Sequence, residues 1–199
     1  MSFIRPILAA TALMIASVAA PVAALAASPV VVVDYQRLFQ ESAAGKDAQA
    51  KLKAIGDTIN KELAPEQQGV ANDQKALGPS FQGKTQQQVL DMLKADKTLA
   101  GKYQSYLQRA ENLAGRQQLR ANEYQATENK AINDVISAAQ SVIADQMKAR
   151  GASIALETGS TIATSKDADI TDAVIAGLNK KITSVTVVKA DLTKRPAGQ

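Results

Sequence analysis

The sequence predicts a mostly α-helical α+β protein, in which a long antiparallel coiled-coil hairpin projects from a small β-rich body. Ala and Gln occur 37 and 18 times among the 199 residues, a usage typical of long helices with narrow seams. Aromatic residues make up only 4% of the chain, too few for a broad aromatic core. Apolar residues follow a helical period through residues 46–149, and short β-branched runs flank that region. Residues 46–149 therefore form the predicted hairpin arm, and residues 27–45 and 150–190 form the body.

Residues 1–26 are predicted to be a cleaved signal peptide. A basic residue, Arg5, precedes the apolar run of residues 7–20, and a small-x-small triplet ends at Ala26. The apolar run is shorter than the roughly 20 residues needed to span a bilayer. We therefore expect cleavage near Ala26 and export of the mature protein.

The first element of the mature chain is predicted to be a buried strand over residues 29–33, because these residues are apolar on both faces. Asp34 is placed to cap a short helix that contains Leu38 and Phe39. The strand and this helix together predict the N-terminal part of the body.

The hairpin is predicted from two helical patterns. Apolar residues three and four apart, from Leu52 to Leu63, predict a helix over residues 46–77, with a kink or local break at Pro65. Residues 78–84 form the turn, and Thr85 with Gln88 makes a capping box for the second helix. A helix of 65 residues would be on the order of 95 Å long, so an antiparallel pair is the economical arrangement.

The second helix is predicted to run to Ala149 with a heptad seam. The seam positions are Val89, Met92, Asp96, Leu99, Tyr103, Tyr106, Ala110, Leu113, Gln117, Arg120 and Tyr124. The polar residues among them favour a loose seam, since buried polar groups need partners. The tyrosines either pack between the helices or remain accessible to a bound protein.

After Gly151 the apolar period falls to two, which predicts that Ile154 and Leu156 lie on a strand paired in a small β-hairpin with residues 160–163. Thr171 is the expected N-cap of a further helix, and residues 184–188 are predicted to be another strand. Residues 191–199 are polar and predict a disordered tail.

The composition argues against an enzyme. His and Cys are absent, which removes the usual metal ligands and several nucleophiles, so we expect no cofactor and no metal. Residues 78–85 match the phosphate-loop pattern G-x-x-x-x-G-K-[ST]. The preceding residues read as helix rather than strand, and Pro79 lacks one N–H that an anion would need. A helix-to-helix turn explains every residue of the match.

The charge pattern also argues against nucleic-acid binding. The formal net charge is +4, and no run of Lys or Arg exceeds two residues, whereas a nucleic-acid surface needs a dense basic stripe.

Self-association is predicted from size. Outside the hairpin, the mature chain has only about 70 residues, 27–45 and 150–199, and no disulfide, which is rarely enough for independent stability. The candidate residues of a shared oligomerisation core are the apolar positions of the predicted strands, namely Val31, Val33, Ile154, Leu156 and Ile162.

The order of these elements resembles the OmpH/Skp family of periplasmic chaperones. The resemblance rests on the strand of residues 30–34, the helical turn at Leu38 and Phe39, the strand Ile154–Glu157 and the segment 169–175. It implies a periplasmic homotrimer whose hairpins project as tentacles around a cavity. Family members hold unfolded outer-membrane β-barrel proteins there without ATP.

Two functions follow as hypotheses. The first is an ATP-independent holdase, and the alternative is a structural or adaptor coiled coil of the cell envelope. A weak contact with a membrane surface is also expected. The candidate client contacts are the apolar residues around the predicted turn, namely Leu77, Phe81, Val89, Met92, Leu93, Tyr103 and Tyr106.

Overall fold

The computed structural model describes residues 29–193, so the predicted signal peptide and residues 194–199 lie outside the described residues. The described elements follow in the order β1 (Val30–Val33), α1 (Tyr35–Glu41), α2 (Ala43–Phe81), α3 (Gln86–Ala95), α4 (Lys97–Ala149), β2 (Ile154–Glu157) and α5 (Thr171–Lys181). Short 3-10 turns occupy Thr158–Ser160 and Lys166–Ala168. Within residues 29–193, no helix combines the length and the apolar character that crossing a membrane requires.

The N-terminal elements form as predicted. β1 covers Val30–Val33, and the Asp34 side chain caps α1 by accepting a hydrogen bond from the Arg37 N–H at 2.9 Å. α2 begins three residues earlier than predicted, because the Ser42 hydroxyl accepts the Gly45 N–H at 3.0 Å and so caps the helix.

The predicted break at Pro65 is absent, because α2 continues through both Pro65 and Pro79 to Phe81. Lys61, whose carbonyl loses its helical donor at Pro65, is exposed, so water can satisfy that carbonyl. The predicted turn of residues 78–84 shortens accordingly to residues 82–84. Gly83 has φ +72°, a conformation that favours glycine.

The predicted second helix is divided at Asp96. The capping box of Thr85 and Gln88 starts α3 as expected. Asp96 then adopts an extended conformation, and its carboxylate accepts the N–H groups of Thr98 and Leu99 at 2.8 and 2.9 Å. Asp96 is therefore the N-cap of α4, and its assignment to the heptad seam was wrong, because its side chain bonds to the backbone instead of packing.

The predicted β-hairpin is also wrong. β2 pairs with β1 in parallel, from Val30 opposite Ile154 to Val33 opposite Glu157. Residues 158–160 form a 3-10 turn, so no second strand follows. The long helices between the strands act as the crossover that parallel pairing requires. Each strand has only four residues, whereas α5 alone has eleven. The region predicted to be β-rich therefore contains more helix than strand.

Two predictions for the C-terminal region need correction. Ile170 precedes α5 and Thr171 is its first residue, so Thr171 is not the N-cap. The Thr171 hydroxyl instead accepts the Asp34 N–H at 2.9 Å and joins α5 to the end of β1. Residues 184–188 form no strand, because the backbone N–H and carbonyl of Val185 bond to the side chains of Asp47 and Lys51 on α2.

The main core lies where α1, α5 and the two strands meet the adjoining ends of α2 and α4. We call these buried residues the base cluster: Val31, Val33, Leu38, Ala44, Ala48, Leu52, Ala131, Val135, Ala139, Val142, Ile143, Ile170, Val174 and Leu178.

Candidate functional site

α2 and α4 pack as an antiparallel pair, here called the helical pair. Three ion pairs join the two helices. From one pair to the next, the residue number of the α2 partner rises while that of the α4 partner falls, as expected for antiparallel helices. Arg120 Nε lies 3.2 Å from Glu62 Oε2, and Arg109 Nη1 lies 3.1 Å from Asp73 Oδ2. Arg116 pairs with Glu66 between them. The arginines come from α4 and the carboxylates from α2, an arrangement that favours this register.

The core of the helical pair thins away from the body. Beyond the base cluster, a small cluster holds Ile59, Leu63 and Leu113. Residues 64–112, here called the distal part, are all described, and Leu77 is the sole buried apolar residue among them. The remaining apolar side chains of the distal part therefore retain access to solvent.

Three aromatic residues meet in the distal part. The rings of Phe81 and Tyr103 lie edge to face with centroids 5.4 Å apart, and Tyr106 lies 6.3 Å from Tyr103. All three are half-buried. Phe81 at the end of α2 is thereby brought against α4, which joins three of the predicted contact residues in one aromatic cluster.

The other predicted contact residues divide between α2 and α3. Leu77 is 6% exposed and so serves mainly as packing between helices. Val89, Met92 and Leu93 are half-buried on α3, a helix that has no buried residue. Exposed Leu90 on α3 and Leu107 on α4 were missed by the sequence analysis because both lie off the predicted seam.

An open cavity of about 670 Å³ lies between the end of α2 and the start of α4. Its lining includes the apolar residues Leu77 and Leu99 and the basic residues Lys97, Lys102 and Arg109. Asp73 is its acidic residue, and it faces Arg109. The cavity therefore offers apolar contact bordered by positive charge.

The phosphate-loop match has a different geometry from a phosphate loop. Its first four residues are the last turn of α2, so a helix and not a strand leads directly into the match. The Thr85 hydroxyl accepts the Gln88 N–H at 3.3 Å, while Gln88 Oε1 accepts the Thr85 N–H at 2.9 Å. These residues form a helix cap, and Lys84 is exposed beside it. In residues 29–193, no group of three or more His, Cys, Asp or Glu residues is placed to hold a metal.

The predicted oligomerisation residues lie in two environments. Val31 and Val33 are 2% and 1% exposed, and they belong to the base cluster of the single chain. Ile154 and Leu156 on β2 are 50% and 43% exposed, and Ile162 is completely exposed. The second group leaves apolar surface uncovered in one chain.

Sequence reasoning missed the buried polar residues of α4. Glu123 and Thr127 are 1% and 2% exposed, and with Ala131, Val135 and Ala139 they form a row spaced by four residues. This spacing was the available signal, because residues four apart share a helix face. The heptad chosen from the sequence selected Arg120 and Tyr124 instead.

Comparison with known proteins agrees with this architecture. The family model described as "Outer membrane protein (OmpH-like)" matches residues 29–178. A crystal structure of an OmpH-like protein from Caulobacter crescentus CB15, assigned as an outer membrane chaperone, is similar with a TM-score of 0.62 and 27% identity. The match covers 83% of this chain and 92% of that one. No curated protein sequence gives a significant match. Because the family model covers most of its length, the chain belongs to the OmpH-like family.

Proposed function

We propose that the protein is an ATP-independent holdase chaperone of the periplasm, which binds unfolded outer-membrane β-barrel proteins and prevents their aggregation. Membership of the OmpH-like family supports a chaperone role, and the similar protein from Caulobacter crescentus is assigned as an outer membrane chaperone. In this proposal residues 1–26 direct export and are then removed.

The observation that carries the proposal is the incomplete burial of apolar and aromatic side chains in the distal part. Phe81 and Tyr106 each contact Tyr103, yet all three side chains remain half-exposed, and the adjacent Leu107 is 47% exposed. Each such contact contributes modestly to binding, since burial stabilises by about 25 cal/mol per Å² of apolar surface. Many weak contacts retain an unfolded chain while each remains reversible.

Three copies of the chain are proposed to act together. The exposed residues Ile154, Leu156 and Ile162 would be covered in a trimer, and the three helical pairs would surround one cavity. Several arms around one client increase its effective concentration near each binding surface. Such an assembly binds without nucleotide hydrolysis.

A structural spacer of the cell envelope is the second candidate. The ladder of Glu62, Glu66 and Asp73 with three arginines of α4 favours it, because cross-helix ion pairs hold a rod in one register. A spacer depends on the length of the helical pair, whereas a holdase depends on its surface.

The deciding experiment substitutes Phe81, Met92 and Tyr103 together by Ser in the full-length mature protein. Aggregation of an unfolded outer-membrane β-barrel protein is followed by light scattering at stoichiometric amounts. We expect protection to fall several-fold, because apolar contact is lost while the helix lengths remain unchanged. The matched control substitutes three exposed polar residues of α3 and α4, namely Gln86, Gln104 and Gln108, by Ser.

If the variant with Ser at all three apolar positions protects the client as well as wild type does, these residues do not contribute to client binding. If the wild-type protein gives no protection at all, the holdase proposal fails and the spacer remains.

A further inference from the structure

Residues 182–193, here called the C-terminal segment, lie beyond the region matched by the family model, which ends at residue 178. The segment has no helix or strand, yet the side chains of residues 184–189 alternate between two environments. Val185, Val187 and Lys189 are half-buried, whereas Thr186 and Val188 are exposed. This period of two is that of an extended chain lying against a surface.

The backbone of the segment bonds to side chains of both long helices. On α2, Asp47 Oδ2 accepts the Val185 N–H at 3.3 Å, and Lys51 Nζ donates to the Val185 carbonyl at 2.7 Å. On α4, Thr127 Oγ1 accepts the Ala190 N–H at 2.9 Å. Backbone groups are common to all sequences, so these bonds do not depend on which side chains the extended chain carries.

The inward side chains add apolar and ionic contacts. Ile182, Val185 and Val187 pack against the base cluster. Lys189 Nζ lies 3.5 Å from Glu123 Oε2, so the buried carboxylate faces a cation from the segment. The helical pair thus presents a groove with apolar positions for alternate side chains and with polar groups that bond to the backbone at Val185 and Ala190.

We propose that this groove is a binding site for extended β-branched segments, that the C-terminal segment is its resident occupant, and that an unfolded client displaces it. The inference rests on the proposed function, since it assigns a second client site and its regulation. Strands of outer-membrane β-barrels alternate apolar and polar residues, and the groove accommodates this alternation over residues 185–187, with Val185 and Val187 inward and Thr186 outward. A tethered occupant competes at high effective concentration, so strongly binding clients are favoured over weak ones.

The first test measures binding of a fluorescent peptide with the sequence of residues 182–193 to the full mature chain. The Val185→Asp/Val187→Asp double variant loses the inward contacts and vacates the groove. We expect it to bind the peptide at least about tenfold more tightly than wild type, because an occupied site lowers apparent affinity. The control, Thr186→Asp/Val188→Asp, adds the same charge at outward positions and should match wild type.

A milder variant, Ala190→Pro, removes the N–H that Thr127 accepts and should also increase peptide affinity. Thermal unfolding followed by circular dichroism shows which variants are folded, and only folded variants enter the comparison of affinities. If the Val185→Asp/Val187→Asp and Ala190→Pro variants are folded and bind the peptide with the same affinity as wild type, the proposal is overturned.

The second test measures hydrogen exchange at the Val185 and Ala190 amides, with and without a saturating unfolded β-barrel protein. Faster exchange with client supports displacement. A bound client with unchanged exchange overturns this inference and leaves the proposed function intact. If no client binds, the proposed function fails, and the peptide measurement alone decides whether the groove exists.

Discussion

Glu123 is a buried carboxylate that connects three parts of the chain. Its Oε2 lies 2.7 Å from Arg120 Nη1 on the same helix and 3.5 Å from Lys189 Nζ of the C-terminal segment. Arg120 also reaches Glu62 on α2. Burial alone would raise the pKa of Glu123, but the hydrogen bond from Arg120 and the two positive charges outweigh it and lower the pKa. Glu123 is therefore ionised at neutral pH.

Glu123→Gln should lower the free energy of unfolding by about 1–2 kcal/mol at neutral pH, because the charge-assisted hydrogen bond from Arg120 becomes a weaker bond to a neutral amide in a buried site. The folded-state pKa lies below the ordinary value of 4.5, so this stabilisation is present above that pH and disappears as pH falls through the lowered pKa. Urea unfolding at a series of pH values measures the difference. Glu111→Gln, at an exposed position of α4, is the control. A difference independent of pH would contradict this account.

At the scale of the element, two glycines set how closely helices approach the rest of the body. A Cβ at Gly45 would overlap the Phe39 carbonyl oxygen, which belongs to the backbone of α1. A Cβ at Gly177 on α5 would lie 2.5 Å from Val142 Cγ1 on α4. Gly115 on α4 has open space around the same position. The first two glycines are required by packing and the third is not.

Gly45→Ala should destabilise the protein by at least about 2 kcal/mol, since the backbone of α1 or α2 must shift to admit the methyl group. Gly115→Ala should stabilise it by about 0.5–1 kcal/mol, because alanine loses less backbone entropy in a helix. Urea unfolding of both variants gives the comparison. Equal effects of the two substitutions would show that the α1–α2 junction is not close-packed.

At the scale of the whole molecule, the small sheet leaves apolar side chains exposed in a single chain. Parallel sheets are normally covered on both faces, yet Val30, Ile154 and Leu156 are each more than 40% exposed. Val31 and Val33 already pack in the base cluster of the single chain. The exposed side of β2 is therefore the proposed contact between copies.

Ile154→Asp should dissociate the assembly, because an unpaired charge would be buried at the contact. Sedimentation of the mature protein at micromolar concentration measures the change. Val188→Asp, at a side chain 69% exposed on the C-terminal segment, should leave the oligomer intact. A wild-type protein that sediments as a monomer would contradict self-association.

The sequence by itself determined the features that depend on near neighbours. β1, the Asp34 cap, the Thr85–Gln88 capping box and the end of α4 before Gly151 lie where the sequence predicts them. Each involves residues within about four positions, so propensity and side-chain chemistry suffice. Asp96 belongs to this class, but the heptad pattern concealed its capping role.

Only the tertiary structure decided which distant segments meet. β1 pairs with β2 across the whole helical pair, whereas the local pattern favoured a hairpin. Glu123 is buried because Lys189 and the C-terminal segment reach it from more than 60 residues away. Local sequence does not encode these encounters, since the burial of a residue and the pairing of a strand depend on which surfaces the completed fold brings together.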